Sequence, residues 1–163
     1  MADRHRRDDK DDLEDRVVAI NRCSKVVKGG RNFSFSALVV VGDRAGKVGF
    51  ALGRANEVAD AIRKGTESAR RALVQIPLRG NTLPHAQKAK FSGAHVMLRP
   101  ASPGTGMIAG GGMRAVLDLA GVHDVLAKSL GSNNQINVVK ATMAALQNMQ
   151  SYKHVVEKRG VKI

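Results

Sequence analysis

Aromatic residues are scarce in this chain of 163 residues: they make up only 3% of it, and tryptophan is absent. The hydrophobic fraction of 43% is nevertheless sufficient for a buried core. We therefore expect that core to consist of Val, Ile, Leu, Ala and Met. The length is enough for one ordinary domain or for two small ones.

Cysteine is nearly missing as well, since Cys23 is the only one. A single thiol excludes an intramolecular disulfide and a metal site made of cysteines alone, and it is typical of a reducing compartment. We expect Cys23 to be a small buried hydrophobic residue within a strand. The five histidines are scattered, with no pair four residues apart, so the sequence predicts no metal site and no catalytic triad.

Long hydrophobic runs are also absent. The longest purely apolar stretches, such as Ala37–Val41, are far shorter than the about 20 residues that a membrane-spanning helix needs. The N-terminus has no apolar signal core, and no amphipathic helix carries bulky Phe or Trp on its apolar face. The sequence therefore predicts a cytoplasmic protein without a membrane partner.

Acidic residues are the minority, 14 against 27 Lys and Arg, and half of them lie within the first 15 residues. Residues 16–163 keep 23 bases and seven acids, a net charge of +16. A small body with this charge repels itself unless a polyanion neutralises it, and nucleic acid is the usual one. Residues 1–12 are almost wholly charged, which predicts a disordered tail.

Residues 13–76 have the pattern of a small α+β domain. Three antiparallel strands are predicted, with a turn at Gly29-Gly30 between the first two. A helix capped by Asn56 follows, and Pro77 bounds the unit. The strands are placed at residues 17–27, 33–41 and 47–52.

Residues 77–163 differ in amino-acid composition from residues 13–76. The main difference is the segment Pro100–Gly112, which contains five glycines and two prolines. A strand is predicted before this segment and a helix after it, stopped by Gly121. The last residues, from Lys153 to Ile163, are basic and are predicted to be frayed. The remaining predictions are a strand at 91–98, a helix at 113–120, a short strand or turn at 124–130, and a helix from Asn134 or Asn137 to Met149.

The glycine-rich segment admits an enzymatic alternative. Gly104–Ala109 matches the loose dinucleotide-binding pattern, and Asp124 lies 20 residues after Gly104. That pattern requires a helix to start within the motif, and we expect Gly110–Gly112 to break such a helix. No Gly-Lys-Ser/Thr follows, so a P-loop is excluded. A small-molecule kinase loop is the best enzymatic interpretation, but no acid is placed for Mg²⁺ or for a base. A close backbone approach to RNA or to a neighbouring protein is favoured.

Basic residues cluster around the first turn, where Arg22, Lys25, Lys28 and Arg31 surround two glycines. In a neutral protein such a cluster would be a solvated hairpin tip. In a body of this charge it favours phosphate contacts and insertion against an RNA groove. A second set of basic residues lies on the predicted helix. Two interpretations of this set stay open: contact with RNA, and stabilisation of the helix dipole. That set is Arg63, Lys64, Arg70 and Arg71.

The order and spacing of these motifs resemble the bacterial small-subunit ribosomal protein S-five family. The resemblance runs from about Leu13 to Gly160. In the first half it rests on residues 21–37, 41–49 and 57–62. In the second half it rests on residues 100–111, 113–117, 120–128, 131–134 and 136–142.

This resemblance implies an α+β fold of two domains, at residues 13–76 and 77–163. The first is similar to double-stranded-RNA-binding domains. The second is similar to a β-α-β unit with a left-handed crossover, a fold shared with some kinases and ribonucleases. The resemblance implies a structural protein, with no enzymatic activity, no cofactor and no small-molecule substrate. A free double-stranded-RNA-binding regulator is the second interpretation and a phosphotransferase a distant third.

In the family, the first domain reaches the head of the small subunit and the second touches the body. The implied partners are small-subunit rRNA, ribosomal proteins S-four and S-eight, and mRNA near the path by which it enters. The implied role is to brace head against body and to influence decoding accuracy. The RNA-binding candidates are Arg22, Ser24, Lys25, Lys28, Gly29, Gly30, Arg31, Arg54, Arg63, Lys64, Arg70 and Arg71, and the protein-interface candidates are Gly104, Thr105 and Gly106.

The sequence departs from the family pattern in four places. Gln135 stands where Pro is usual, His95 replaces a usual Arg, Gly65 interrupts the first helix, and the acidic tail has no counterpart.

Overall fold

The computed structural model describes residues 13–160, so the tail predicted at residues 1–12 lies outside the described part of the chain. Two four-stranded sheets are present, in the orders β1-β2-β3-β4 and β5-β6-β8-β7. In chain order the elements are β1 (Glu14–Val27), β2 (Gly30–Gly42), β3 (Lys47–Ala55), α1 (Val58–Arg71), β4 (Val74–Gln75), β5 (Gln87–Phe91), β6 (Ala94–Pro100), β7 (Met107–Ile108), α2 (Gly111–Leu119), β8 (Val125–Gly131), α3 (Gln135–Gln147) and α4 (Tyr152–Arg159).

Residues 36–42 of strand β2 are buried on both faces of the sheet, since successive side chains point to opposite sides of a strand. Ala37, Val39 and Val41 pack with the helix α1 in one apolar cluster. Leu38 and Val40 belong instead to the larger core of the second half. The first sheet therefore lies between α1 and the second half of the chain. It is antiparallel throughout, as predicted, with the short β4 as an additional edge strand.

The second sheet contains the predicted β-α-β unit. Strands β7 and β8 are parallel, and α2 connects them. Helix α3 packs against β5 and β6 on one face of this sheet, and α2 packs between α3 and the first sheet, so the buried residues of the larger core lie on that side. The α+β prediction is confirmed. Among residues 13–160, no helix has both the length and the apolar character to cross a membrane.

Helix α1 starts and continues differently from the prediction. It begins at Val58 after Glu57, with no side-chain capping bond, so the cap predicted at Asn56 was wrong. Gly65 does not interrupt it either. Gly65 is buried against Val39, and a Cβ at Gly53 would overlap the Ala61 carbonyl. The paired glycines let the helix lie directly on β3, which outweighs the poor helix propensity of glycine.

Three predictions in the second half need correction. The strand predicted at 91–98 is present as β6 (Ala94–Pro100), but its first residues form a hairpin turn, because Ser92 adopts φ 52° and β5 ends at Phe91. Helix α2 begins at Gly111 rather than after the glycine run. Two glycines cost about 1 kcal/mol each in a helix, whereas each fully buried side chain, such as Leu117, contributes about 1.5–3 kcal/mol.

The C-terminal residues are the third correction. Residues predicted to be frayed form α4 up to Arg159, and Ser151 caps it by accepting a bond from His154 N at 3.3 Å. Two other predictions hold. Asn134 caps α3, with its side chain accepting from Ile136 N at 3.1 Å. Residues 124–130 coincide with a strand, β8.

The two halves are joined by a tight junction. Arg44 N donates to Leu119 O at 3.0 Å, and Gly46 N donates to Ala120 O at 3.1 Å. A Cβ at Gly42 would overlap the carbonyl group of Leu119. Because β2 also contributes to both apolar clusters, the halves share buried surface rather than meeting through a linker.

Candidate nucleic-acid interface

Strands β1 and β2 continue past the rest of the sheet as a two-stranded hairpin, here called the arm (residues 20–33). Every residue of the arm is exposed. At its tip Gly29 and Gly30 adopt φ 144° and 152°, and a Cβ at either would meet nothing within 4 Å. These glycines are therefore required by backbone conformation and not by crowding.

The charge of the arm has one sign. Arg22, Lys25, Lys28 and Arg31 are its ionisable groups besides Cys23, and it contains no acid. None of the ion pairs found among residues 13–160 includes these four side chains. The arm thus presents four cations that no neighbouring carboxylate neutralises.

The two faces of the arm differ chemically, because directly paired residues of an antiparallel ladder share a face. Ser24 pairs with Phe33, and Val26 pairs with Arg31. On that face the Arg22 guanidinium lies 3.7 Å from the centroid of the Phe33 ring. Phe33 is 44% exposed, so a stacked cation and ring are available to a ligand.

The opposite face of the arm carries Cys23 and Lys25. Cys23 is exposed, so the prediction of a buried thiol was wrong. The strand pattern around it is the one expected of a half-buried strand, but this stretch lies beyond the body that would have covered it.

Arg54 lies near the base of the arm. It is exposed on β3, opposite Ser36, which in turn pairs with Asn21. This row is on the sheet face away from α1, because the neighbouring Gly53 contacts that helix. Arg54 and Lys25 therefore share one side of the sheet.

The basic residues of α1 form a separate surface. Arg63, Lys64, Arg70 and Arg71 are all exposed, and Arg63 is paired with Asp60 at 3.1 Å. Since α1 covers the other face of the sheet, the structure does not bring these four residues together with Arg54. The predicted RNA-binding residues thus occupy two regions, the arm with Arg54 and the outer side of α1.

The predicted protein-interface residues form a loop in which Gly104 and Thr105 are exposed and Gly106 is half-buried. Gly104 and Gly106 have φ 86° and 74°, and neither has a neighbour within 4 Å of a Cβ position. Gly106 N donates to a carboxylate oxygen of Asp124 at 2.9 Å, and Thr105 Oγ1 donates to Ser102 O at 2.7 Å. Asp124 is 6% exposed. The carboxylate that suggested a dinucleotide site thus holds the loop in place.

The dinucleotide interpretation fails for a reason other than the one expected. A helix does begin within the glycine run, at Gly111. However, strand β7 stands between Gly106 and that helix. The helix N-terminus is therefore not part of the Gly104–Ala109 motif, as pyrophosphate binding would require.

One basic surface was missed by the sequence reasoning. The face of the second sheet opposite α2 and α3, here called the outer face, carries Lys88, Lys90, Arg99 and Lys128. The signal in the sequence was limited to Lys88 and Lys90, whose spacing of two places them on one side of a strand. Only the pairing of the strands adds Arg99 and Lys128 to the same face. His95, noted as a departure from the family, also lies there.

Comparison with known proteins gives two family matches. The model "Ribosomal protein S5, N-terminal domain" matches residues 13–77. The model "Ribosomal protein S5, C-terminal domain" matches residues 89–159.

Two relatives are similar over nearly the whole chain. The small ribosomal subunit protein uS5 of Pseudoalteromonas translucida is 54% identical over 163 residues, which covers 100% of this chain and 97% of the relative. The protein of the same name from Bacteroides thetaiotaomicron is 55% identical over 152 residues, covering 93% and 88%.

These matches place the chain among ribosomal proteins of mixed α+β fold. More specifically, the chain belongs to the ribosomal protein S5 family. The resemblance inferred from the motifs is confirmed. So is the expectation of a structural protein instead of an enzyme, because the relatives are small ribosomal subunit proteins.

Proposed function

We propose that this chain is a structural constituent of the small subunit of the cytoplasmic ribosome, and that its arm binds small-subunit rRNA. The observation that carries the proposal is the arm itself, which is exposed along its whole length and holds four bases and no acid. A two-stranded hairpin without a covering layer is marginal in water. A polyanion around it would supply both the missing contacts and the countercharge.

The arm offers three kinds of contact. Its four cations suit phosphate groups, and the Ser24 hydroxyl suits a phosphate or a ribose 2′-OH. The two glycines at the tip allow the backbone itself to approach RNA closely. The Arg22–Phe33 stack offers a planar surface for a base or a ribose.

The remaining RNA-binding candidates fit a secondary role. Arg54 extends the basic side of the arm toward the body. The four bases on α1 form a contact surface of their own, in which the pairing of Arg63 with Asp60 leaves Lys64, Arg70 and Arg71 as the stronger candidates.

We also propose that the chain braces the head of the subunit against its body, as the family resemblance implies. The arm and the Gly104–Gly106 loop would then contact different neighbours, rRNA for the first and ribosomal protein S-four for the second. Ribosomal protein S-eight and incoming mRNA complete the proposed partners. The tight junction supports this role, because shared buried surface fixes the distance between the two contact elements.

The test of the arm uses the full chain. The variant Lys25→Ala/Lys28→Ala/Arg31→Ala should bind protein-free small-subunit rRNA more weakly and with a smaller salt dependence. Removing one phosphate contact should lower the slope of log K against log salt by about 0.7 to 0.9. The measurement is filter binding over a series of salt concentrations. An unchanged slope would remove the arm from the RNA interface.

A matched control removes the same charge elsewhere. Lys47, Lys153 and Lys158 are exposed and lie outside the proposed interface, so their replacement by Ala should lower the slope less. Sucrose-gradient sedimentation of lysate tests the place of the chain in the cell. If the unmodified chain is absent from the small-subunit peak, the proposal is contradicted.

A further inference from the structure

The outer face of the second sheet is composed of three cross-strand rows. Because directly paired residues share a face, the pairing fixes which residues belong to it. Val96, Leu98 and Val125 point the other way, into the core. The rows are Lys88–Met97–Lys128, Lys90–His95–Leu130 and Arg99–Leu126–Ile108.

The outer face is strongly basic. It holds four bases and one histidine, and strands β5 to β8 contain no acid. None of the ion pairs among residues 13–160 includes these side chains. Lys88 and Lys90 lie about 7 Å apart along β5, and Lys128 lies about 10 Å from Lys88 across two strands. The charges are thus spread over the sheet at separations that suit several phosphates.

The face is also uncovered. Ile108 is 57% exposed, Leu126 40% and Leu130 51%, and only Met97 is partly buried. Within residues 13–160, therefore, no element packs on this side of the sheet. Large apolar side chains exposed together in this way are characteristic of an interaction surface.

We propose that the outer face is a second rRNA-binding surface, separate from the arm, which contacts phosphates and ribose edges of an RNA duplex. The basic side chains lie on β5, β6 and the middle of β8. Leu126 and Ile108 lie toward β7, and Leu130 lies at the other end of β8 beside His95. An open sheet face with this composition suits the wide, shallow minor groove of A-form RNA, which displays sugars between two lines of phosphates. This inference rests on the proposed place of the chain in the small subunit, and not on the arm.

RNA fits the outer face better than a protein does. Lysine is depleted in protein–protein interfaces, and burying several like charges against a protein is costly unless each one is paired. A phosphate backbone pairs them all and releases counterions. The outer face carries no Phe, Tyr or Trp, and His95 is its only ring. This composition favours contact with the backbone of a duplex over stacking with unpaired bases.

The first test measures salt dependence. The full chain with Lys88→Gln/Lys90→Gln/Lys128→Gln is compared with Lys47→Gln/Lys153→Gln/Lys158→Gln in binding to protein-free small-subunit rRNA. Each phosphate contact removed should lower the slope of log K against log salt by about 0.7 to 0.9. The slope for the outer-face variant should therefore fall by about two to three units, and the slope for the control should fall less. An outer-face variant that keeps the slope of the control would overturn the inference.

The second test locates the RNA in assembled subunits with an iron chelate tethered to cysteine, which cleaves nearby RNA. One probe is attached to the native Cys23 of the arm. The other is attached to Lys128→Cys in a Cys23→Ser background. We expect rRNA cleavage from both probes, at different nucleotides.

The outcomes separate the two proposals. Cleavage from Cys23 alone would overturn the outer-face inference and leave the arm in place. Cleavage from position 128 alone would support the outer face and contradict the arm. A crosslink from position 128 to a protein, without rRNA cleavage, would assign the outer face to a protein partner and overturn the inference.

Discussion

Asp124 holds the glycine-rich loop with one buried carboxylate. It accepts from Gly106 N at 2.9 Å and is 6% exposed, so removing the side chain leaves the Gly106 amide without its partner. Asp124→Ala should destabilise the fold by about 1–3 kcal/mol, the cost of an unsatisfied buried group. Asp124→Asn, which keeps an acceptor oxygen, should cost less. Denaturant unfolding gives both values, and hydrogen exchange at the Gly106 amide should accelerate more in Asp124→Ala. Equal exchange in the two variants would show that the carboxylate does not hold the loop.

A substitution at Gly106 should change the accuracy of translation. A Cβ at Gly106 would meet nothing within 4 Å, and the φ of this residue is 74°. Gly106→Arg therefore adds backbone strain of about 1–2 kcal/mol and a bulky charge that faces outward. If the loop contacts a ribosomal neighbour, the arginine should wedge that boundary. We expect altered misreading in a reporter assay, in the direction of more error, in subunits that still assemble.

Gly106→Ala is the matched control, because it imposes the same backbone strain without the bulk. It should leave misreading close to the parent level. If both variants raise misreading equally, the effect comes from loop strain and not from a wedge at the boundary.

The candidate residues illustrate what a sequence can reveal about a site. The arm was found because four bases flank two glycines in a body of net charge +16. The outer face was not predicted from the sequence, because its charges lie on three strands and only the pairing of those strands brings them together. Cys23 was misplaced for a related reason: the strand pattern gives the face of a residue but not whether anything covers that face.

Among the elements, α1 and β3 approach each other closely only because both carry a glycine. A Cβ at Gly53 would overlap the Ala61 carbonyl, so Gly53→Ala must push the helix away from the sheet. We expect a destabilisation of about 1–3 kcal/mol, as in other overpacked cores, measured by thermal unfolding. The control is Gly111→Ala, at a helical position with nothing within 4 Å, which should be neutral or slightly stabilising. Equal melting temperatures for the two variants would contradict the packing argument.

Element types were predictable where periodicity was strong and less so where burial decided the outcome. The strand predicted at 33–41 and the helix predicted from Asn134 or Asn137 to Met149 are present as β2 and α3. The start of α2 was mispredicted because local propensity disfavours glycine in helices. Residues 152–159 were mispredicted because the Ser151 cap was overlooked. At the start of α2, tertiary packing overrides the low helix propensity of glycine. In residues 152–159, the Ser151 cap adds to the helix propensity of the segment.

At the scale of the molecule, residues 1–12 should be dispensable for incorporation into subunits. This segment has five acids against four bases, a net charge of −1, and only two apolar residues, Met1 and Ala2, so it offers RNA little net attraction. A chain starting at Leu13, supplied with an initiating Met, should enter small subunits about as well as the full chain. Quantitative immunoblotting of gradient fractions measures this, and exclusion of the shortened chain would refute it.

Strand β2 contributes to apolar clusters in both halves of the chain, so the two halves share one core. A domain boundary near residue 76 remains our proposal, but the two domains should not unfold independently. We predict one cooperative transition in calorimetry, with equal calorimetric and van't Hoff enthalpies. Leu119 is 1% exposed at the junction, and Leu119→Ala should lower the stability by about 2–5 kcal/mol. Hydrogen exchange should then accelerate in β2 as well as in α2. Two separate transitions, or faster exchange confined to the second half, would show that the junction is a contact between independent domains.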